Sequence, residues 1–172
     1  ILAGEIKLAL SEEAKARIIK CRNYLDDKMK EGNKTIYGIN TGFGSLYDRV
    51  IPDKDLNQLQ INLVKSHACG VGDEAPQEIV RLMLFLKAQS LSYGNSGVQI
   101  ETVEGLINLY NEGIYPVVYQ YGSLGASGDL APLAHMVLPL LGLGEVNYKG
   151  QRRSSKEVLR EVGMNTIELH SK

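Results

Sequence analysis

Glycine placement constrains this chain more than any other feature: several of its 18 glycines gather in three short clusters, at 38–44, 70–72 and 122–128. Glycine reaches backbone conformations that a Cβ forbids, so such clusters mark ordered loops with tight turns or close approaches of backbone. Between the clusters, apolar residues recur with helical spacing. Ser11 suits the N-cap of a first helix with Ala14, Ile18, Leu25 and Met29 on one face and Gly32 as its stop. Pro52-Asp53 starts a second, with Leu56, Leu59, Leu63 and Val64 inward and Gly70-Val71-Gly72 ending it. Pro76 suits the first turn of a third helix carrying Ile79, Val80, Met83 and Leu84 and closed by Gly94; Val103, Leu106, Ile107 and Tyr110 mark a fourth, closed by Gly113.

The remaining segments are extended or short. Residues 33–50 form a glycine-broken extended stretch leading into a loop, and Ile114 to Tyr121 has the β-branched and aromatic content of an extended connection. A fifth, apolar helix is expected from near Asp129. Residues 146–153 suit a small hairpin turning near Lys149-Gly150, and Ser154 with Glu157 forms a capping box for a short helix ending at Gly163. The pattern predicts a mainly α fold with short extended segments and one hairpin. Neither a repeat nor a linker interrupts it, so residues 1–172 read as a single domain. Thr166-Ile167-Glu168-Leu169-His170 carries no helix stop or polar tail, and the chain therefore reads as cut within a longer protein.

Composition narrows the function classes. With 172 residues, 44% hydrophobic and 23% charged, the chain can bury one ordinary core. Its 19 basic and 20 acidic side chains leave a formal charge of −1 without a dense basic run, which argues against nucleic acid as a partner. Cys21 and Cys69 lack metal-ligand spacing, so no metal is expected, and two cysteines suit a reducing cytoplasm. The longest apolar stretch, Met136 to Leu143, is broken by Pro139 and Gly142 and is too short for a bilayer; the first residues show no basic-then-apolar signal pattern. Nine tyrosines against two phenylalanines and no tryptophan add hydroxyl groups to the aromatic inventory.

The stretch GSLGASGDLAPLAH (122–135) is where chemistry enters. A glycine-rich turn running into a helix presents backbone N–H groups and a positive helix end to developing negative charge. On residue types alone a tight turn is the plainer reading, because the phosphate-loop Lys-Ser/Thr and the dinucleotide glycine spacing are both missing. The stretch resembles, however, the signature of the ammonia-lyases and aminomutases acting on histidine, phenylalanine and tyrosine. That resemblance implies that Ala126, Ser127 and Gly128 cyclise into a methylidene-imidazolone. The Gly128 nitrogen attacks the Ala126 carbonyl carbon, and loss of water from Ser127 leaves an exocyclic methylene. It also implies converging helix N-termini beneath this electrophile, and no external cofactor.

Three further segments carry the same resemblance. YGINTGFG (37–44), after Lys34-Thr35-Ile36, is similar to the family's glycine-rich loop; its leading tyrosine, here Tyr37, is implied as the base that takes the substrate β-proton, a role requiring a phenolate or a strongly acidified phenol. LVKSHACGVG (63–72) resembles the segment ending in the substrate-selecting pair, here Ser66-His67, an arrangement of the histidine-specific members shared by some tyrosine-specific ones. With Gly44 these two are the implied substrate-binding residues. SLSYGNSGV (90–98) resembles a fourth motif, although Lys87-Ala88-Gln89 stands where the family has Arg-x-Asn.

The likeness spans about Ile36 to Glu168. It implies the N-terminal portion of the fumarase/aspartase-like helical lyase fold, a homotetramer built from the full-length protein, and an amino acid as the small-molecule substrate. The activity implied is non-oxidative elimination of ammonia from L-histidine to give urocanate, with the remaining site residues beyond Lys172 and the fragment alone inactive. The same chemistry on tyrosine or phenylalanine, an aminomutase, or a non-catalytic helical paralogue are the alternatives.

Overall fold

The computed structural model describes residues 6–31, 35–124 and 130–170. The fold is mainly α, with six helices and a few short strands among the described residues. Helix α1 (Glu12–Lys30) begins where the Ser11 hydroxyl accepts the Ala14 N–H at 3.1 Å, with acidic residues in its first turn and lysines in its last. Ala14 and Ile18 are buried, and Leu25 and Met29 half-buried, as the periodicity predicts. Gly32, its expected stop, lies outside the described residues. Helix α2 (Asp53–His67) buries Leu56 and leaves Leu59, Leu63 and Val64 half-buried.

Helices α3 (Gln77–Ser92) and α4 (Ile100–Glu112) pack on each other and supply half of the main buried cluster. Val80, Leu84, Val103, Leu106, Leu109 and Tyr110 are all essentially solvent-free. The expected face of α3 needs one correction. Ile79 points outward, 46% exposed, because the buried stripe runs Val80, Leu84, Ala88, Leu91. Arg81 also lies on that inner side, its guanidinium 4.7 Å from the centre of the Tyr110 ring. Gly113 ends α4 in the left-handed conformation that its C-cap requires, φ +66.

The chain then runs through β2 (Tyr115–Pro116) and β3 (Tyr119–Tyr121). Strand β2 pairs antiparallel with β4 (Glu145–Tyr148), which pairs with β5 (Gln151–Ser154). The β4–β5 hairpin turns at Lys149 and Gly150, φ +52 and +74, the positive pair that a two-residue turn of this hand needs. Strand β1 (Val71–Glu74) pairs antiparallel with β3, so the 70–72 cluster does more than end α2. Helix α5 (Leu130–Val137) continues into a 3-10 turn, Leu138–Leu141; its expected start, Asp129, is outside the described residues. Helix α6 (Ser155–Glu161) has Ser154 at the N-cap, but that side chain makes no capping bond, contrary to the expected capping box. Instead the neighbouring Ser155 is buried and its N–H donates to the Gly144 carbonyl at 3.1 Å, which fixes the helix start through the backbone.

Candidate active site

The first glycine cluster folds into a loop closed by its own hydrogen bonds. The Ile36 N–H donates to Asn40 Oδ1 at 2.7 Å, Gly42 N–H to the Arg49 carbonyl at 3.0 Å, and Ile51 N–H to the Asn40 carbonyl at 2.9 Å. Thr41 and Ile39 are buried beneath it. With its interior filled this way, the loop turns Tyr37 outward. Its ring stands edge-on to Phe43, centroids 6.0 Å apart, and its hydroxyl oxygen accepts the Gly44 N–H at 3.5 Å. Gly38 and Gly44 adopt φ +75 and +58, the local price of that shape.

The second contributor is the end of α2. His67 Nδ1 lies 2.7 Å from the Leu63 carbonyl oxygen, and an oxygen that only accepts requires Nδ1 to carry the proton. With Nδ1 engaged there, Nε2 is left to face another partner. The Ser66 hydroxyl donates to the same carbonyl at 2.9 Å, and Ser66 is exposed. The two members of the pair thus differ: His67 faces a cavity and Ser66 turns back onto its own helix.

That cavity, about 510 Å³, opens between the loop, α2, α3 and α5. Tyr37, Gly44 and His67 line it together with Phe43, Leu63, Val64, Lys87 and an apolar wall from α5 that begins at Leu130. Lys87 is half-buried there and brings an ammonium into largely apolar surroundings, where a negative charge gains most. In the sequence Lys87 stands out only as a departure from a motif. Of the seven expected site residues, Tyr37, Gly44 and His67 meet at this cavity; Ala126, Ser127 and Gly128 lie outside the described residues, two positions short of the α5 wall.

Behind the cavity, the second and third glycine clusters touch. A Cβ at Gly122, φ +124, would sit 2.8 Å from Gly70 Cα, and one at Gly72 would sit 2.5 Å from the Tyr121 ring. Only bare backbone lets β1 and β3 approach this closely. A polar network holds β3 from outside: Arg152 donates to the Tyr119 hydroxyl at 3.1 Å and to Glu74 Oε1 at 2.7 Å, and also pairs with Glu145. From inside, His135 on α5 accepts the Gly70 N–H through Nε2 at 2.9 Å and stands edge-on to Tyr119, centroids 5.2 Å apart. Burial pushes the His135 imidazole below its ordinary range, favouring the neutral ring that this bond needs. In the sequence His135 merely ends the stretch 122–135, and its partners come from segments distant in the chain.

Comparison with known proteins agrees with this arrangement. The model of one family, aromatic amino acid lyase, matches residues 1–172. The histidine ammonia-lyase of Caldanaerobacter subterraneus subsp. tengcongensis is 52% identical over 166 residues, covering 96% of this chain and 32% of that protein. The chain therefore spans about a third of the length of the curated relatives it matches. Among solved structures, histidine ammonia-lyase from Trypanosoma cruzi superposes with a TM-score of 0.85 at 37% identity, over 96% of this chain and 32% of that one. Phenylalanine aminomutase from Pantoea agglomerans gives 0.90 at 30% identity, over 99% and 32%.

Proposed function

We propose that this chain, which belongs to the aromatic amino acid lyase family, supplies the N-terminal part of an enzyme that eliminates ammonia from L-histidine to give urocanate. The observation that carries the reading is the convergence of Tyr37, His67 and Lys87 on one largely apolar cavity whose α5 wall starts two residues after Gly128. The sequence before that wall fits the family's prosthetic group, because Ala126, Ser127 and Gly128 contain every atom of a methylidene-imidazolone and precede Leu130 by only a few positions in the chain. When formed, the group supplies the electrophile that lets an amine leave.

The chain's own residues do the rest of what can be assigned. Tyr37, exposed at the cavity mouth, offers its hydroxyl oxygen as the base for the β-proton. His67, with Nδ1–H held by the Leu63 carbonyl, presents Nε2 as an acceptor for a substrate N–H. An imidazole supplies such a donor and a phenyl ring does not, which favours histidine. Lys87 raises the local potential and favours anionic groups in the cavity.

The assembled protein is a homo-oligomer in this reading, a tetramer, acting in the cytoplasm on a small amino acid. Exposed Tyr37 and Leu130 at the cavity, with Tyr121 and Leu124 also exposed, support a covering surface from further protein, and the free thiols of Cys21 and Cys69 suit a reducing compartment. A second reading, an aminomutase on phenylalanine, is favoured by the likeness to the Pantoea enzyme; the 52% identity to a histidine ammonia-lyase outweighs it.

Intact mass of the full-length protein tests the central step, since cyclisation removes two waters. Wild-type protein is expected to be lighter by those two waters and to release ammonia from histidine. Ser127→Ala, which removes the only source of the methylene, keeps its full backbone mass and loses the activity, with stability changed by no more than about 1 kcal/mol. Turnover by the Ser127→Ala protein at a substantial fraction of the wild-type rate defeats the assignment.

A further inference from the structure

The segment that carries Ala126, Ser127 and Gly128 joins two described arms, one ending β3 and one beginning α5. A side chain of α5 touches elements on both sides of it. His135, in the second turn, is the one polar side chain of α5, whose other residues are Leu130, Ala131, Pro132, Leu133, Ala134, Met136 and Val137. It is 9% exposed and makes two contacts that cross the fold: Nε2 to the Gly70 N–H at 2.9 Å, and the ring edge to Tyr119 at 5.2 Å.

Gly70 sits between two layers. On one side a Cβ there would fall 3.0 Å from His135 Nε2 and 3.1 Å from the Tyr119 Cβ; on the other, Gly122 packs against the Gly70 backbone. Through this stack the imidazole fixes α5, the Gly70 backbone and the last residues of β3 against one another. Gly70 is also three residues beyond His67, so the same stack ties the substrate-facing end of α2 to both arms.

We propose that His135 is a positioning residue, an acceptor that holds the described arms on either side of residues 125–129 against one another and so speeds the cyclisation. Ring closure demands that the Gly128 nitrogen reach the Ala126 carbonyl carbon, and fixing the ends of a short connection removes conformations that keep those atoms apart. His135 itself forms no bond in the step: the new bond is N–C within the backbone, and both waters leave with oxygens of Ala126 and Ser127. Because Nε2 accepts, the ring proton resides on Nδ1. The buried surroundings oppose protonation, which would place a donor against the Gly70 N–H.

The inference rests on the reading of residues 126–128 as the precursor of the prosthetic group, and the experiment separates the two. In the full-length protein, His135→Phe keeps a ring edge for Tyr119 but has no acceptor, whereas His135→Gln keeps an acceptor near the Nε2 position. The fraction of each protein lacking two waters is followed by intact mass at fixed times after synthesis. His135→Phe is expected to convert about tenfold more slowly than wild type, the rate equivalent of one lost hydrogen bond, and His135→Gln to recover most of that deficit. Conversion of the Phe variant at the wild-type rate overturns the proposal while leaving the precursor reading intact. Equal defects in the Phe and Gln variants, or failure of the Phe variant to form the wild-type oligomer on size exclusion, assign His135 to general packing and also overturn it. Wild-type protein that never loses two waters sinks the precursor reading itself.

Discussion

Gly122→Ala probes the contact between the glycine clusters directly. Gly122 has φ +124, and a Cβ there would lie 2.8 Å from Gly70 Cα, 3.1 Å from the Cys69 carbonyl oxygen and 3.2 Å from Gly70 N. Non-bonded carbons rest at about 3.5–4.0 Å, so the two backbones must part by roughly 0.7 Å or more. Backbone at both points resists this, because neither neighbour is a flexible side-chain end. Conformational strain at a positive φ costs about 1–3 kcal/mol, and stretching the 2.9 Å bond from Gly70 N–H to His135 Nε2 forfeits about 0.5–1.5 kcal/mol more. The expected total is about 1.5–4.5 kcal/mol. Gly150→Ala is the matched control: φ +74, in the β4–β5 turn, with nothing within 4 Å of the added Cβ. It should cost only the left-handed conformation, about 1–2 kcal/mol. Urea midpoints of the full-length variants give the two costs, and amide exchange over residues 69–72 shows where the loss occurs. Equal costs for the two substitutions, or unchanged protection at Gly70 in Gly122→Ala, would refute the close-approach argument.

Three other outcomes follow from the same geometry. His67→Leu should lower kcat/KM for histidine by roughly one to two orders of magnitude and raise the relative rate with phenylalanine, measured on full-length protein; an unaltered preference order removes the selectivity role. Leu84→Ala, in the fully buried seam between α3 and α4, should destabilise by about 2–5 kcal/mol in chemical denaturation, and a loss under about 1 kcal/mol would mean that the seam repacks freely. Burial holds the His135 imidazole below its ordinary value of 6.5, so above that pH both folded and unfolded chains are neutral there and stability is insensitive to it. As pH falls below 6.5 the unfolded chain takes up a proton that the fold resists, and stability declines by at most about 1.4 kcal/mol per pH unit for this one group. His135→Gln should flatten that part of the profile, and parallel profiles for wild type and variant from pH 6.5 downward would contradict it.

What could be read from the sequence depended on how local its cause was. The inward face and the end of α4 were legible because Val103, Leu106, Ile107 and Tyr110 share a face within one segment and Gly113 supplies the left-handed cap, although fully buried Leu109 was not singled out. The face of α3 was ambiguous because Ile79-Val80 and Met83-Leu84 are adjacent apolar pairs, and either member of each continues a helical stripe. Packing against α4 chose Val80 and Leu84. Strand β1 carried no signal at all, since Val71-Gly72-Asp73-Glu74 has no alternation and is mostly exposed; its partner, β3, supplies the reason for it to be extended. The capping box at Ser154 failed for a related reason, the Gly144 carbonyl having claimed the start of α6 through Ser155.

The site divides along the same line. Tyr37 and His67 stood out because each sits in a motif whose residues are neighbours in sequence. Lys87 and His135 did not, because each acquires its meaning from a segment far away in the chain: Lys87 from the loop and α5 across the cavity, His135 from Gly70 and Tyr119. The glycine clusters show how far composition can mislead when it is right. Gly38 and Gly44 are needed for positive φ in a loop whose surroundings leave ordinary room for a Cβ. Gly70 and Gly122 are needed for the absence of a side chain between two backbones and an imidazole. The first requirement is a property of the residue and can be guessed from a turn-rich stretch; the second belongs to a pair, and it is the pair that joins the substrate-facing end of α2 to the strand leading into residues 126–128.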